Sequence, residues 1–167
     1  MKINFQALKS IYFHEMDRFR RTLTQSLLSP VLTTSLYFIV FGSVIGGYVE
    51  KIDGISYGSY IVPGLLMLTL LTQSISNTSF GIFFPKFNGT IYEILAAPIS
   101  TFEVVLAFVG AGATKTLIVS VVIFITSLFF VDVQVKYPLL MIFLLILVAF
   151  TFALFGFLIG LMSSDFE

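Results

Sequence analysis

Residues 137–162, YPLLMIFLLILVAFTFALFGFLIGLM, form a long apolar run without a charged side chain. A transmembrane α-helix needs roughly 20 consecutive apolar residues to cross the hydrocarbon core of a bilayer. Lipid offers no hydrogen-bond partners to backbone amides and carbonyls, so an open-ended segment that crosses it has to be helical. The stretch therefore predicts a membrane-spanning helix.

Three further runs of the same kind precede it, at about 27–49, 59–84 and 102–131. The chain of 167 residues is 57% hydrophobic and 11% charged, whereas soluble domains carry roughly 25% charged residues. The sequence therefore predicts an all-α fold, a polytopic membrane helix bundle with four transmembrane helices in a domain covering residues 27–162.

A different pattern occupies residues 3–23, ahead of the first run. Apolar side chains recur there at intervals of three and four, at Phe5, Leu8, Tyr12, Met16, Phe19 and Leu23. This spacing is one stripe of an α-helix, and Arg18, Arg21 and His14 fall on its far side. We expect a basic amphipathic helix lying in the plane of the membrane surface. A straight extension of the first span is the alternative.

The loop at 85–100 contains a short helical pattern in its second part, GTIYEILAAPIS at residues 89–100. Thr90 is placed to cap a short helix and Glu93 to return the contact as a capping box. Three apolar residues then share one face at helical spacing, and Pro98 closes the segment; they are Ile91, Ile94 and Leu95. Such a face is buried either on a partner protein or, alternatively, on the bilayer.

Polar side chains interrupt the second span at Thr72, Gln73, Ser76, Asn77 and Ser79. Polar groups in hydrocarbon are costly unless they are paired or face a cavity. They are therefore candidates for a translocation path or a subunit contact, or alternatively for hydrogen bonds to neighbouring helices. Lys115, inside the third span, should for the same reason face protein, water or a lipid phosphate.

Small residues repeat every fourth position at Gly42–Gly46 and at Gly156–Gly160. This spacing lets helix backbones approach closely. We expect packing within the chain, with a dimer face as the alternative.

The basic residues indicate an orientation. Six of them, Lys2, Lys9, Arg18, Arg20, Arg21 and Lys86, fall on the cytoplasmic side if the N-terminus is inside, against Lys51 and Lys136 outside. The positive-inside rule therefore predicts that both termini are cytoplasmic.

Several classes of site are not expected. The chain has no cysteine and one histidine, and its net charge is zero, which argues against a metal cluster, a thiol site and a nucleic-acid partner. No catalytic set is apparent, and we expect no cofactor. The stretch Gly110–Thr116 looks like a phosphate loop, but Thr114 stands before the lysine and the segment lies inside a span.

Several segments together resemble one family in order along the chain: the permease subunits of type-2 ABC exporters. They are Arg20–Leu23, Ser29–Pro30, Tyr37–Gly42, Tyr60–Gly64, Gly89–Ser100 with its Pro98, and Gly110–Lys115. The resemblance covers essentially the whole chain, and the segment ending in Ala97-Pro98 is its most specific part.

The resemblance implies a multi-pass protein of the bacterial cytoplasmic (inner) membrane, in contact with membrane lipid. It also implies a permease homodimer or heterodimer and a separate cytosolic ATP-binding subunit, which docks on the loop through Thr90, Ile91, Glu93, Ile94, Leu95 and Pro98. The family pattern continues with two further spans, so we expect this chain to be a fragment or a truncated permease. The alternative function is a non-transporting scaffold that recruits a cytosolic partner through loop 85–100.

Overall fold

Six α-helices and one short hairpin make up the part of the chain that the computed structural model describes, residues 4–41, 51–52, 54–133 and 135–163. The helices are α1 (Phe5–Arg21), α2 (Leu23–Val40), α3 (Tyr57–Phe87), α4 (Ile91–Ala96), α5 (Thr101–Leu128) and α6 (Pro138–Met162). The hairpin joins β1 (Lys51–Ile52) to β2 (Ile55–Ser56), which pair antiparallel with Lys51 opposite Ser56. The all-α prediction is confirmed.

Four helices, α2, α3, α5 and α6, are long and apolar enough to cross a membrane. They coincide with the four predicted runs to within a few residues, except that positions 42–49 of the first run lie outside the described residues. The protein is therefore a multi-pass membrane bundle by the length and composition of its helices.

The second span is longer than predicted, because Pro85 does not end it. Helix α3 continues through Pro85 to Phe87, and membrane helices tolerate internal proline where neighbouring groups compensate. The Lys86 ammonium donates to the carbonyl oxygens of Leu161 and Ser163, at 2.8 and 2.7 Å. This contact stabilises the C-terminus of α6, where carbonyls lack helical partners. The expected loop 85–100 is correspondingly shorter.

Helix α1 is separate from α2 and runs lengthwise along α5. Thr22, with φ −105° and ψ 14°, divides the two helices. Successive contacts pair Asn4 with Glu103, Tyr12 with Thr114 and Glu15 with Lys115. Both helices therefore run in the same direction. That α1 lies in the plane of the membrane surface stays a prediction. Because α1 runs along the first half of α5, this half of α5 would have to lie at the same angle to the membrane as α1.

Helices α3 and α6 pack through glycine. A Cβ atom placed on Gly156 would lie 2.8 Å from the Ile75 Cα, and one on Gly160 would lie 3.1 Å from the Ser79 Cα. Both glycines thus face backbone one helical turn apart on α3. The Gly156–Gly160 pair serves packing within the chain, as expected, while Gly42–Gly46 lies outside the described residues.

Replacing Gly156 by alanine should destabilise the bundle, because its methyl group would push α6 away from the α3 backbone. Overpacking of this kind costs about 1–3 kcal/mol. Gly64→Ala is the matched control, since nothing lies within 4 Å of a Cβ at that position, and it should leave stability equal or slightly higher. Thermal unfolding in detergent measures both; equal midpoints for the two variants would contradict the packing.

Candidate functional site

The segment between α3 and α5 contains the short helix α4. Gly89 has φ +78°, a left-handed conformation that suits glycine, and it turns the chain from α3 toward α4. Helix α4 ends at Ala96, and Ala97 is extended, with φ −72° and ψ 149°, as expected before a proline. Pro98 therefore closes the segment as predicted. We call this end of the bundle the α4 end.

The two faces of α4 differ in their surroundings. Ile91 and Ile94 pack against the core cluster that α3, α5 and α6 form, whereas Tyr92 and Leu95 are 73% and 68% exposed. The predicted common face of Ile91, Ile94 and Leu95 is therefore wrong. The isoleucines attach α4 to the bundle, and the exposed side presents an aromatic ring, an aliphatic side chain and the carboxylate of Glu93.

The predicted capping box at Thr90 and Glu93 is also wrong. Thr90 lies at φ −63° and ψ −17°, and no side-chain hydrogen bond caps α4 within the described residues. A hydroxyl caps a helix from an extended N-cap residue, and Thr90 is already helical. Its position explains the missing bond.

The capping box lies instead at the start of α5, on Ser100 and Glu103. The Glu103 amide donates to the Ser100 hydroxyl at 3.3 Å, and the Ser100 amide donates to the Glu103 carboxylate at 2.9 Å. The second carboxylate oxygen accepts from the Asn4 amide at 2.7 Å. Glu103 therefore joins the start of α1 to the start of α5.

Lys115 faces protein, one of the environments expected for it. Its ammonium lies 2.7 Å from the Glu15 carboxylate, and both side chains are buried. The other carboxylate oxygen lies 3.3 Å from the Arg18 guanidinium, on the next turn of α1. Glu15 also lies beside Gly81 of α3. One carboxylate therefore connects three helices and two cations.

Sequence reasoning missed Glu15, although a local signal was present. Glu15 follows Tyr12 by three positions and precedes Phe19 by four, so it lies on the apolar side of α1. A carboxylate on an apolar stripe indicates a buried partner.

The polar stretch of α3 divides between the core and the surface of the bundle. Thr72 and Ser76 are exposed, Gln73, Asn77 and Ser79 are half-buried, and the buried members are Ser74 and Thr78. The Asn77 amide donates to Gln73 Oε1 at 3.4 Å and to Thr116 Oγ1 of α5 at 3.5 Å. Thr78 packs on Gly112 of α5. Helix contact thus accounts for part of this stretch, and Thr72 and Ser76 face outward.

The capping assignment can be tested on the two glutamates. Glu103→Ala removes acceptors for two backbone amides and should lower the thermal unfolding midpoint by several degrees. Glu93→Ala is the matched control, an exposed glutamate on α4, and should leave the midpoint unchanged. If Glu93→Ala is the more destabilising, the capping box belongs to α4 after all.

Comparison with known proteins identifies the family. Residues 6–167 match the family described as ABC-2 type transporter. The chain is 38% identical over 167 residues to proteins of Escherichia coli K12 and Shigella flexneri, each named inner membrane transport permease YadH. It spans 65% of the length of these relatives, and no solved structure matches it. The chain belongs to the ABC-2 type transporter family.

Proposed function

We propose that this chain forms the membrane-spanning permease part of an ABC exporter in the bacterial inner membrane. A separate cytosolic subunit would bind and hydrolyse ATP, so the chain itself would not be an enzyme. The family match and the inner membrane transport permeases among its relatives support this function over a scaffold. The observation that carries the proposal is helix α4, a short helix with an exposed apolar side between two spans.

Helix α4 is suited to transmit a movement because both of its connections are short. The turn 88–90 joins it to α3, and the link 97–100 joins it to α5. Ile91 and Ile94 fix it to the bundle core. A subunit that displaces α4 would therefore move α3 and α5 with it.

The ATP-binding subunit would dock on the exposed side of α4, at Tyr92, Glu93 and Leu95. Of the six residues first assigned to coupling, Glu93 and Leu95 would make the contact. Ile91 and Ile94 would attach the helix to the permease, while Thr90 and Pro98 lie on either side of it. A partly apolar surface of this kind fits a protein partner with a complementary groove.

The orientation that this requires places α4 and both termini in the cytoplasm. The distribution of basic residues favours it, and the described members of the cytoplasmic set include Arg18, Arg20, Arg21 and Lys86. Lys86 lies two residues before the turn 88–90 begins, so it belongs to the same end of the bundle.

We also propose that Thr72 and Ser76 face a second permease subunit or the translocation path. Both are exposed on the surface of this bundle, and hydroxyls facing acyl chains would be unfavourable. Gln73, Asn77 and Ser79 flank them, whereas Lys115 is engaged by Glu15 within the bundle. The proposal applies both to a permease homodimer and to a heterodimer.

Leu95→Asp should abolish co-purification of the ATP-binding subunit, because a carboxylate would replace the exposed aliphatic contact. The measurement is pull-down of the co-expressed ATPase, recognised by its GxxxxGK[ST] loop, together with ATP hydrolysis in the complex. Phe5→Asp is the matched control, an equally exposed apolar residue at 72% on α1. It should retain the partner.

If α4 merely lies on the bilayer, Leu95→Asp and Phe5→Asp will behave alike. Full partner binding and ATP hydrolysis in Leu95→Asp, at unchanged membrane insertion, would rule out α4 as the docking element.

A further inference from the structure

A small polar notch lies between α1, α3 and α5, beside the buried ion pair. Its volume is about 100 Å³, room for a few water molecules or one compact anion. The polar side chains that line it are Arg18, Thr22, Ser26, Ser76, Asn77 and Lys115. Thr22 and Ser76 are exposed, so the notch opens at the surface of the bundle.

The charges around the notch do not balance. Lys115 and Arg18 supply two positive charges, and Glu15 is the carboxylate that pairs with both within the described residues. One positive charge is therefore left over. Arg18 makes a single contact to Glu15 at 3.3 Å, which leaves most of its five N–H donors available.

The surplus charge needs compensation at this depth. The Arg18 guanidinium lies 5.6 Å from the centre of the Phe84 ring, and a cation–π contact offsets only part of the cost of a charge removed from water. An uncompensated cation within a membrane bundle is unfavourable by several kcal/mol. A bound anion would supply the missing charge.

The position of the notch along the helices indicates which anions can reach it. The Ser59 hydroxyl donates to the Asp132 carbonyl oxygen at 3.0 Å and joins α3 to the end of α5 away from α4. Ser76 lies about 25 Å from Ser59 along α3, at 1.5 Å per residue. With the Ser59–Asp132 contact at one edge of the hydrocarbon core, which is about 30 Å thick, the notch lies inside the core within about 5 Å of its α4-side edge, where the phosphate of a headgroup can reach it.

We infer that this notch is a binding site for a phosphate-bearing anion, such as the phosphodiester of an anionic lipid headgroup. Arg18 supplies the charge and the directed N–H donors that phosphate oxygens accept. The hydroxyls of Ser26 and Ser76 supply neutral donors around it. Basic pockets between membrane helices are a known setting for headgroup recognition.

The test is a titration of the purified full chain in detergent, with thermal unfolding as the readout. Short-chain phosphatidylglycerol should raise the unfolding midpoint, and diacylglycerol with the same chains should not. Arg18→Gln should raise the dissociation constant at least about tenfold, as expected for loss of one charged hydrogen bond. Arg20→Gln is the matched control, an exposed arginine on the same helix that does not line the notch, and it should bind normally.

A second pair of variants keeps the test decisive if Arg18→Gln does not fold. Ser76→Glu places a carboxylate in the notch and should exclude phosphate, while Thr72→Glu places it one turn away on the same exposed side of α3. Stabilisation by inorganic phosphate, with the same dependence on Arg18 or Ser76, would show that the notch takes free phosphate as well as a headgroup. Equal effects of phosphatidylglycerol and diacylglycerol, or equal binding by each variant and its control, would overturn the assignment.

Discussion

The ion pair between Glu15 and Lys115 is the constraint around which the rest of the bundle is arranged. Lysine on a membrane-spanning helix has to find a counter-charge or reach water. Lys115 is buried within the bundle, at 3% exposure, so its side chain does not reach water. The 2.7 Å contact with Glu15 provides the counter-charge and fixes α1 beside α5.

This pairing determines where α1 can lie. Glu103 holds the start of α1 through the Asn4 amide, and Lys115 holds its third turn through Glu15. With two polar attachments on one helix, α1 and the first half of α5 form one body. Apolar contacts complete it, since Phe19 packs with Val119 in a shared cluster.

The α4 end of the bundle is therefore stabilised by polar contacts as well as by apolar packing. The capping box of Ser100 and Glu103 caps the N-terminus of α5, and the Lys86 ammonium caps the C-terminus of α6 by donating to the Leu161 carbonyl oxygen. Under the proposed coupling, a displacement of α4 would reach α3 and α5 directly. It would reach α1 through the ion pair and α6 through Lys86. The opposite end of the bundle carries the hairpin and the start of α6, and it lies outside this set of contacts.

Apolar run length was enough to predict the four spans, because lipid imposes helical structure and a minimum length. The periodicity of residues 3–23 likewise predicted α1, which the structure places at Phe5–Arg21. The ion pair was not predictable from local pattern, because Glu15 and Lys115 lie 100 positions apart.

The site was only partly predictable. Between α3 and α5, two segments have the form T/S-x-x-E, at Thr90 and at Ser100, and spacing alone does not distinguish them. The structure uses the second, whose Ser100 is extended at ψ 150°. Helical spacing groups Thr72, Ser76 and Ser79 on one face of α3, but it does not indicate their exposure. Thr72 and Ser76 are exposed, whereas Ser79 is half-buried.

A double-mutant cycle on Glu15→Gln and Lys115→Met, followed by thermal and denaturant unfolding in detergent, tests the central claim most directly. Breaking a buried pair by removing one partner costs about 3–5 kcal/mol. Glu15→Gln should be the more damaging, because it leaves Lys115 and Arg18 without their shared carboxylate, whereas Lys115→Met leaves Glu15 with Arg18. The double variant should recover much of the stability lost in Glu15→Gln. Small and additive effects of the two substitutions would contradict the account.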